Sequence, residues 1–439
     1  MKTMISAFLG LVILPTILLG QFSLSGELMP NAMVRSNDAS LIDLPFRPAT
    51  LSLDYSLGDI EVKTVTALET RWKGPEFNAD MVDLREAYLI WYPAFGEVKV
   101  GKMIHAWGAA DANNPTDNLS PYDYYYMFLA GTDRKLGNLS LVVNTYLSDF
   151  QVELVILPEF EPNRFPLNEP DFPIELPVPA GARHFLPEDV LEFGGRVHYS
   201  MGLGDISASY FKGHDRSFSP AGLEINLTPT LSGGIPDITS HLTYRNTDMF
   251  GLDAVFFPGN WTLRSEFAYF RTQSPDLEYE MSKFIYEAEY LQSVVQIEYT
   301  FANTVQLMGQ LIGQHNQNVV SEIEKSDNLI LFEGMTSTKF VTPEFSAGMG
   351  TPFALIADQV AVLSSMVTVW DNSLELNGMV MMNLQEKGYM SNLGGIYSIR
   401  EGLNLEATWA HFIGGEEEGN RFKQLEDFSH VKLGLSYSF

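Results

Sequence analysis

"HVKLGLSYSF" closes the chain at residues 430–439. Val431, Leu433, Leu435, Tyr437 and Phe439 share one parity, while Lys432, Gly434, Ser436 and Ser438 share the other. Strict alternation of this kind describes a strand with one apolar and one wetted face. The last residues of a soluble domain usually fray.

The same alternation recurs upstream over some 400 residues, in segments such as 50–57, 60–71, 139–147, 150–157, 261–270, 305–314 and 403–412. No convincing helical period interrupts it. The connectors fall into two classes that alternate in strict order. Tight turns are expected at Gly58-Asp59, Pro93–Gly96, Ser148-Asp149, Gly202–Asp205, Pro258–Asn260, Ala302-Asn303, Asp371-Asn372 and Glu401-Gly402. Mostly long connections are expected near 32–48, 73–80, 107–133, 158–190, 214–240, 272–283, 316–349, 385–388 and 414–428. From Gln21 to Phe439 this makes about 18 strands, with a range of 14–18. An even number of strands with both ends on the short-turn side is the plan of a bacterial transmembrane β-barrel. The expected fold is therefore all-β: an antiparallel up-and-down barrel spanning a membrane, with short periplasmic turns and long extracellular loops. In lipid only a closed sheet satisfies its own backbone, and strands of about 9–11 residues suffice to cross. Trp72, Trp91, Trp261, Trp370 and Trp409 lie near segment ends, where interfacial aromatic girdles belong.

Composition bounds the function. Fifty-five acidic residues face 27 basic ones, a formal net charge of −28, which argues against nucleic acid as a partner. Cysteine is absent, so there is no disulfide framework, thiolate metal site or cysteine nucleophile. No cofactor or metal requirement is legible. "MKTMISAFLGLVILPTILLGQFS" has the layout of a secretory signal peptide over residues 1–20, with cleavage near Gly20–Gln21. The single barrel is expected over 21–439. Strands starting right after the signal disfavour a transporter with an N-terminal plug.

The closing strand resembles the assembly signal of Gram-negative outer-membrane proteins, a last strand of alternating hydrophobics ending in Phe. Val431, Leu433, Leu435, Tyr437 and Phe439 match it position by position. The resemblance implies recognition by the barrel assembly machinery, an outer membrane of lipid and lipopolysaccharide as surroundings, and closure by pairing with the first strand. The runs "LREAYL" (84–89), "GKMIHAWG" (101–108) and "NNPTDNLSPYD" (113–123) resemble a poorly characterised family of outer-membrane barrels related to uptake and export porins. That likeness covers residues 84–135 and brings no functional residue with it.

General porins fold the loop after the fifth strand inward, and residues 107–133 occupy that place. Asp111, Asp117 and Asp123 with Tyr122, Tyr124, Tyr125 and Tyr126 are expected to narrow the lumen, with tyrosines stacking on ring-bearing solutes. The alternative is a surface loop. The pore wall is expected to expose Glu69, Arg71, Glu86, Arg264 and Glu266 among a surplus of acids, which favours cations. Strict alternation would put Lys102 in lipid, so a bulge at Gly101 is expected to turn it inward, near Glu86 or Glu97. A second bulge at Tyr290-Leu291 would leave Glu287, Glu289 and Glu298 facing water. Residues 158–190 hold eight of the 23 prolines and read as an extended external flap or an inward plug. His105 near Asp111 is the sole pairing suggestive of catalysis, and no enzyme motif accompanies it. The expected function is a passive channel for small hydrophilic solutes, cation-preferring or selecting neutral solutes. The alternative is a non-conducting barrel serving as adhesin, receptor or scaffold. A homo-oligomer is compatible with either, although one chain reveals no interface.

Overall fold

The computed structural model describes residues 20–439 except 74–80, 112, 130, 173, 175–177, 180, 228–236, 302–303, 353–355 and 418. The expected signal peptide and the Ala302-Asn303 turn therefore lie outside the described residues, the former but for Gly20. Among the described residues eighteen strands form one antiparallel wall. In order, β1 is Gln21–Leu28, resumed as Asn31–Arg35 past Pro30; β2 is Phe46–Leu57, β3 Ile60–Thr70, β4 Val82–Trp91, β5 Gly96–Met103 and β6 Asn138–Leu147. Then come β7 (Phe150–Leu157), β8 (Glu192–Met201), β9 (Gly204–His214), β10 (Asn246–Phe256), β11 (Trp261–Gln273) and β12 (Ser282–Phe301). The remainder are β13 (Val305–Glu324), β14 (Gln359–Val369), β15 (Leu374–Asn383), β16 (Gly388–Arg400), β17 (Leu403–Gly414) and β18 (His430–Ser438).

Each strand pairs with its sequence neighbour, and β18 returns to β1 through Leu28↔Tyr437 and Asn31↔Gly434. At the seam Gly26 N–H donates to the Phe439 carbonyl at 3.0 Å, and Phe439 N–H returns the bond at 3.0 Å. The wall is a closed cylinder. With no free edge around it, the backbone needs nothing from lipid.

Side-chain exposure follows the parity read from the sequence. Val431, Leu433, Leu435, Tyr437 and Phe439 are all exposed on the outside, while Ser436, one position over, is buried. Trp91, Trp261 and Trp370 stand at the turn end with Phe257 and Phe301, all exposed. Substituting Leu393→Arg on the oily face of β16 should cost about 2–4 kcal/mol of stability in lipid. Asn392→Arg, one residue away on the wet face, should cost far less. Denaturant titrations in phospholipid vesicles compare the two, and equal losses would contradict this sidedness.

Two local expectations are corrected. Pairing through Gly101↔Tyr88 and Lys102↔Ala87 on one side, and Gly101↔Ser140 and Lys102↔Leu139 on the other, is unbroken. There is no bulge at Gly101, and Lys102 keeps the outward parity of Val100 and Leu139. Gly101 absorbs the close approach instead: its φ is +137°, and a Cβ there would lie 2.3 Å from the Ala87 carbonyl oxygen. Lys102 is next to the last residue of its strand, so its ammonium can reach the wet rim at little cost. The bulge of this region is in β4, where Val65↔Glu86 is followed by Thr66↔Leu84 and Arg85 is the extra residue. In β12 the alternation runs unslipped: Tyr290, Gln292, Gln296 and Glu298 are all buried inside. The register shift at Glu289/Tyr290 leaves the extra residue, Gln317, on β13. Glu298 lies on the inner parity and is buried, whereas Glu287 and Glu289 lie on the outer parity near the loop end of the strand, Glu287 exposed and Glu289 half-buried.

β12 and β13 each have 20 residues, about twice what crosses a bilayer, so their hairpin stands beyond the wall on the loop side. A second hairpin, Ser219–Asn226 with Asp237–Thr243, leans on it through Gly222↔Lys283. Two short helices, α1 (Asp327–Thr336) and α2 (Arg421–Leu425), complete the loop end. Ser326 caps α1 by accepting from Leu329 N–H at 3.4 Å.

Candidate functional site in the barrel interior

The described residues of 104–137 pack against the inner face of the wall and reach strands far away in sequence. Glu266, fully buried on β11, is the principal anchor. Its Oε1 accepts from Ala109 N–H (2.6 Å), Ala110 N–H (2.6 Å) and Asn114 Nδ2 (2.9 Å). Its Oε2 accepts from Thr116 Oγ1 at 2.8 Å. Thr116 N–H adds a longer bond to Oε2 at 3.4 Å. Five donors on one buried carboxyl make a strong tether, because a buried carboxyl is costly unless satisfied.

A ladder of inward glutamines continues the contact. Asp111 N–H donates to Gln296 Oε1 at 3.1 Å, Gln310 Nε2 donates to Asp111 O at 3.1 Å, and Asn113 Nδ2 donates to Gln310 Oε1 at 3.0 Å. Arg264 joins Asp111 at 3.2 Å and Glu298 at 2.8 Å. Nearer its origin the loop is fastened by Trp107 Nε1 donating to Glu153 Oε1 at 2.6 Å.

The second half of the segment meets the proline-rich connection. Asp123, fully buried, holds Arg164 at 3.0 Å and Arg47 at 3.3 Å. The same carboxyl accepts from Tyr125 N–H and so caps the turn Tyr124–Tyr126. Arg164 also grips Glu69 at 2.8 Å, and Tyr126 Oη donates to Glu69 at 2.8 Å. Tyr124 stacks on Phe165 with centroids 4.5 Å apart, and Arg71 pairs with Glu169. The two readings offered for residues 158–190 divide the segment. Asn163, Arg164 and Glu169 tie its first half inward to the loop and wall. Arg183 and His184 are exposed and pair with His241 and Leu242 of the second hairpin.

Several expected pore residues are thus placed differently. Asp117, Asp123, Glu266, Tyr122, Tyr124 and Tyr126 are buried, so they hold loops together and face no open lumen. The reason is pairing: Asp117 lies 2.6 Å from Lys135, and Arg47 covers the Tyr126 ring at 3.9 Å. Asp111 and Arg264 keep exposed surface, with side chains 57% and 25% accessible. Tyr125, Glu69, Arg71 and Glu86 are half-buried, and Glu86 accepts from Ile104 N–H at 2.9 Å. His105 does not meet Asp111. Its Nε2 lies 3.0 Å from Ser140 Oγ, and burial, helped by Lys135, pushes its pKa down to about 3, so it stays neutral. Burial lowers Lys135 too, with Asp117 pulling the other way.

Sequence reasoning missed Arg47, Arg164 and Lys135. A cavity of about 150 Å³ remains among Gln151, Glu153, Arg196 and His198. There Arg196 is held by Asp253 at 2.8 Å.

Searches of family models and of curated proteins return no match. Solved structures are a different matter. OpdQ of Pseudomonas aeruginosa superposes with a TM-score of 0.52 at 10% identity, covering 96% of this chain and 97% of that one. The BenF-like porin of Pseudomonas fluorescens Pf-5 gives 0.51 at 10% identity over 96% and 98%. OccK11 (OpdR) of P. aeruginosa gives 0.51 at 12% over 95% and 96%. This chain has a porin fold. Its closed seam and oily belt are those of an outer-membrane barrel of Gram-negative bacteria. At such identities the likeness extends to the architecture of this porin-like barrel alone.

Proposed function

We propose that the protein is a passive channel for small hydrophilic solutes, narrowed by residues 107–133 folded inward. The observation that carries the reading is the span of that segment: rooted at β5, it is bonded to Glu266, Gln296 and Gln310 on β11–β13. A loop fastened to both sides of a cylinder reduces its bore. The likeness to structures described as porins supports the same reading.

The exposed tip carries Asp111 beside Arg264, so solutes meet a carboxylate and a guanidinium together. Inward-facing Glu27, Glu375 and Glu406 are only half-buried and add acidic surface below it. Against them, Lys63 and Lys99 are already bridged to Glu61 and Glu97, at 3.3 Å and 2.9 Å. On this balance the channel prefers cations. Lipid and lipopolysaccharide surround the belt, and the barrel assembly machinery reads the closing strand. Self-association in the membrane belongs to the same proposal.

A second reading has its own observation. The loop half of the interior is filled by an apolar cluster that includes Tyr122, Met127, Ile312, Phe412, Phe422 and Phe428, as in a plug. A plugged barrel would serve as a receptor or scaffold through its loops. Planar-bilayer recordings separate the two. Ohmic steps whose reversal potential in a salt gradient marks cation preference are expected. Anion preference would refute the charge argument, and silence from folded protein would favour the plug.

A further inference from the structure

Three thioethers stand at one height on the inner wall. Met308 of β13 and Met379 of β15 both pair with Ser364 of β14, one from each side, and Met366 lies two residues further along β14. Neighbouring strands are about 4.8 Å apart, so the three side chains cover a continuous strip roughly 10 Å wide.

Met366 stands clear of the core, while Met308 and Met379 are partly buried at the edge of the apolar cluster. Met366 is 38% exposed, and its partner Asn377 is exposed as well, although both face inward. One step closer to the loops, Val362 and Met381 are buried in the apolar cluster. The strip therefore straddles the edge of the loop packing, with Met308 and Met379 touching it and Met366 beyond it. It also adjoins charge: Met308 pairs with Glu298, Glu298 holds Arg264, and Arg264 holds Asp111. Leaving apolar surface in water is unfavourable, and the same strands place Gln306 and Ser364 on this face without difficulty. Methionine is flexible and polarizable, which suits a surface that must accept apolar bodies of differing shape.

We propose that Met308, Met366 and Met379 form a solute-contacting strip that selects amphipathic solutes. The charged end of the solute is received at Asp111 and Arg264, and its aliphatic or aromatic body slides over the thioethers. The inference rests on the channel reading and adds to it the class of solute.

Norleucine and glutamine test it, being zwitterions of nearly equal size with an apolar and a polar side chain. In liposome-swelling assays the wild-type protein should admit norleucine about threefold faster, a modest discrimination for partial apolar contact. The triple variant Met308→Gln, Met366→Gln, Met379→Gln should admit both equally, while the triple leucine variant should keep the preference. Potassium chloride conductance should be alike in all three, which shows that each is folded and open. Equal wild-type rates, a preference that survives the glutamine changes, or one lost with leucine would each overturn the proposal. If folded wild-type protein neither swells liposomes nor conducts potassium chloride, the channel reading fails first and the strip falls with it.

Discussion

Glu266→Ala barrels are expected to conduct several times more current than the wild type, with noisier open states. The change removes the carboxyl that receives Ala109 N–H, Ala110 N–H, Asn114 Nδ2 and Thr116 Oγ1. Buried donors left without a partner cost about 1–3 kcal/mol each. The segment can escape that cost by leaving the wall and meeting water, which widens the bore. Glu266→Gln should fall between, since its oxygen still accepts while its amide N–H points at donors. The chain lacks cysteine, so a single Ala110→Cys reports on docking: the position is 7% exposed and should react with a maleimide only when Glu266 is lost. Unchanged conductance together with unchanged labelling would sink the tether.

Deleting His430–Phe439 should abolish the folded barrel outright. β18 pairs with β17 through Leu403↔Tyr437 to Ala410↔His430 and with β1 at the seam. Without it both neighbours present bare edges to hydrocarbon, where each unsatisfied backbone group costs several kcal/mol. The remaining strands have no partner free to replace it. The readout is the heat-dependent mobility shift on gels that a folded barrel gives after insertion into lipid vesicles. Leu433→Arg is the graded companion: it keeps the seam but puts a cation at a position 56% exposed to lipid, and should lower the folded fraction without eliminating it. A heat-modifiable band from the deletion would mean that closure does not depend on β18.

Cylinder, strand number and sidedness were legible because each rests on local information. Alternation has a period of two, so Leu433 and Lys432 declare their faces without reference to any distant residue. Turn and loop lengths sort the connections in the same local way. The expectations that failed were those that needed to know what lay across a strand or across the barrel. Lys102 was expected to turn inward, but a glycine at φ +137° lets two backbones approach with no extra residue, and the nearby bulge went to Arg85 on the neighbouring strand.

The interior divides along the same line. The chain on its own determined that Glu266 faces inward and that residues 107–133 are rich in carboxylates and tyrosines. Only the closed cylinder decided that Glu266 meets Ala110, 156 residues away, that Asp123 lies between Arg47 and Arg164, and that Tyr122, Tyr124 and Tyr126 are consumed in packing. Those partnerships depend on barrel diameter and strand register, which set what stands opposite each inward side chain. Burial then rewards every carboxylate that finds a donor, leaving Asp111, Arg264 and Met366 among the surfaces still open to a solute.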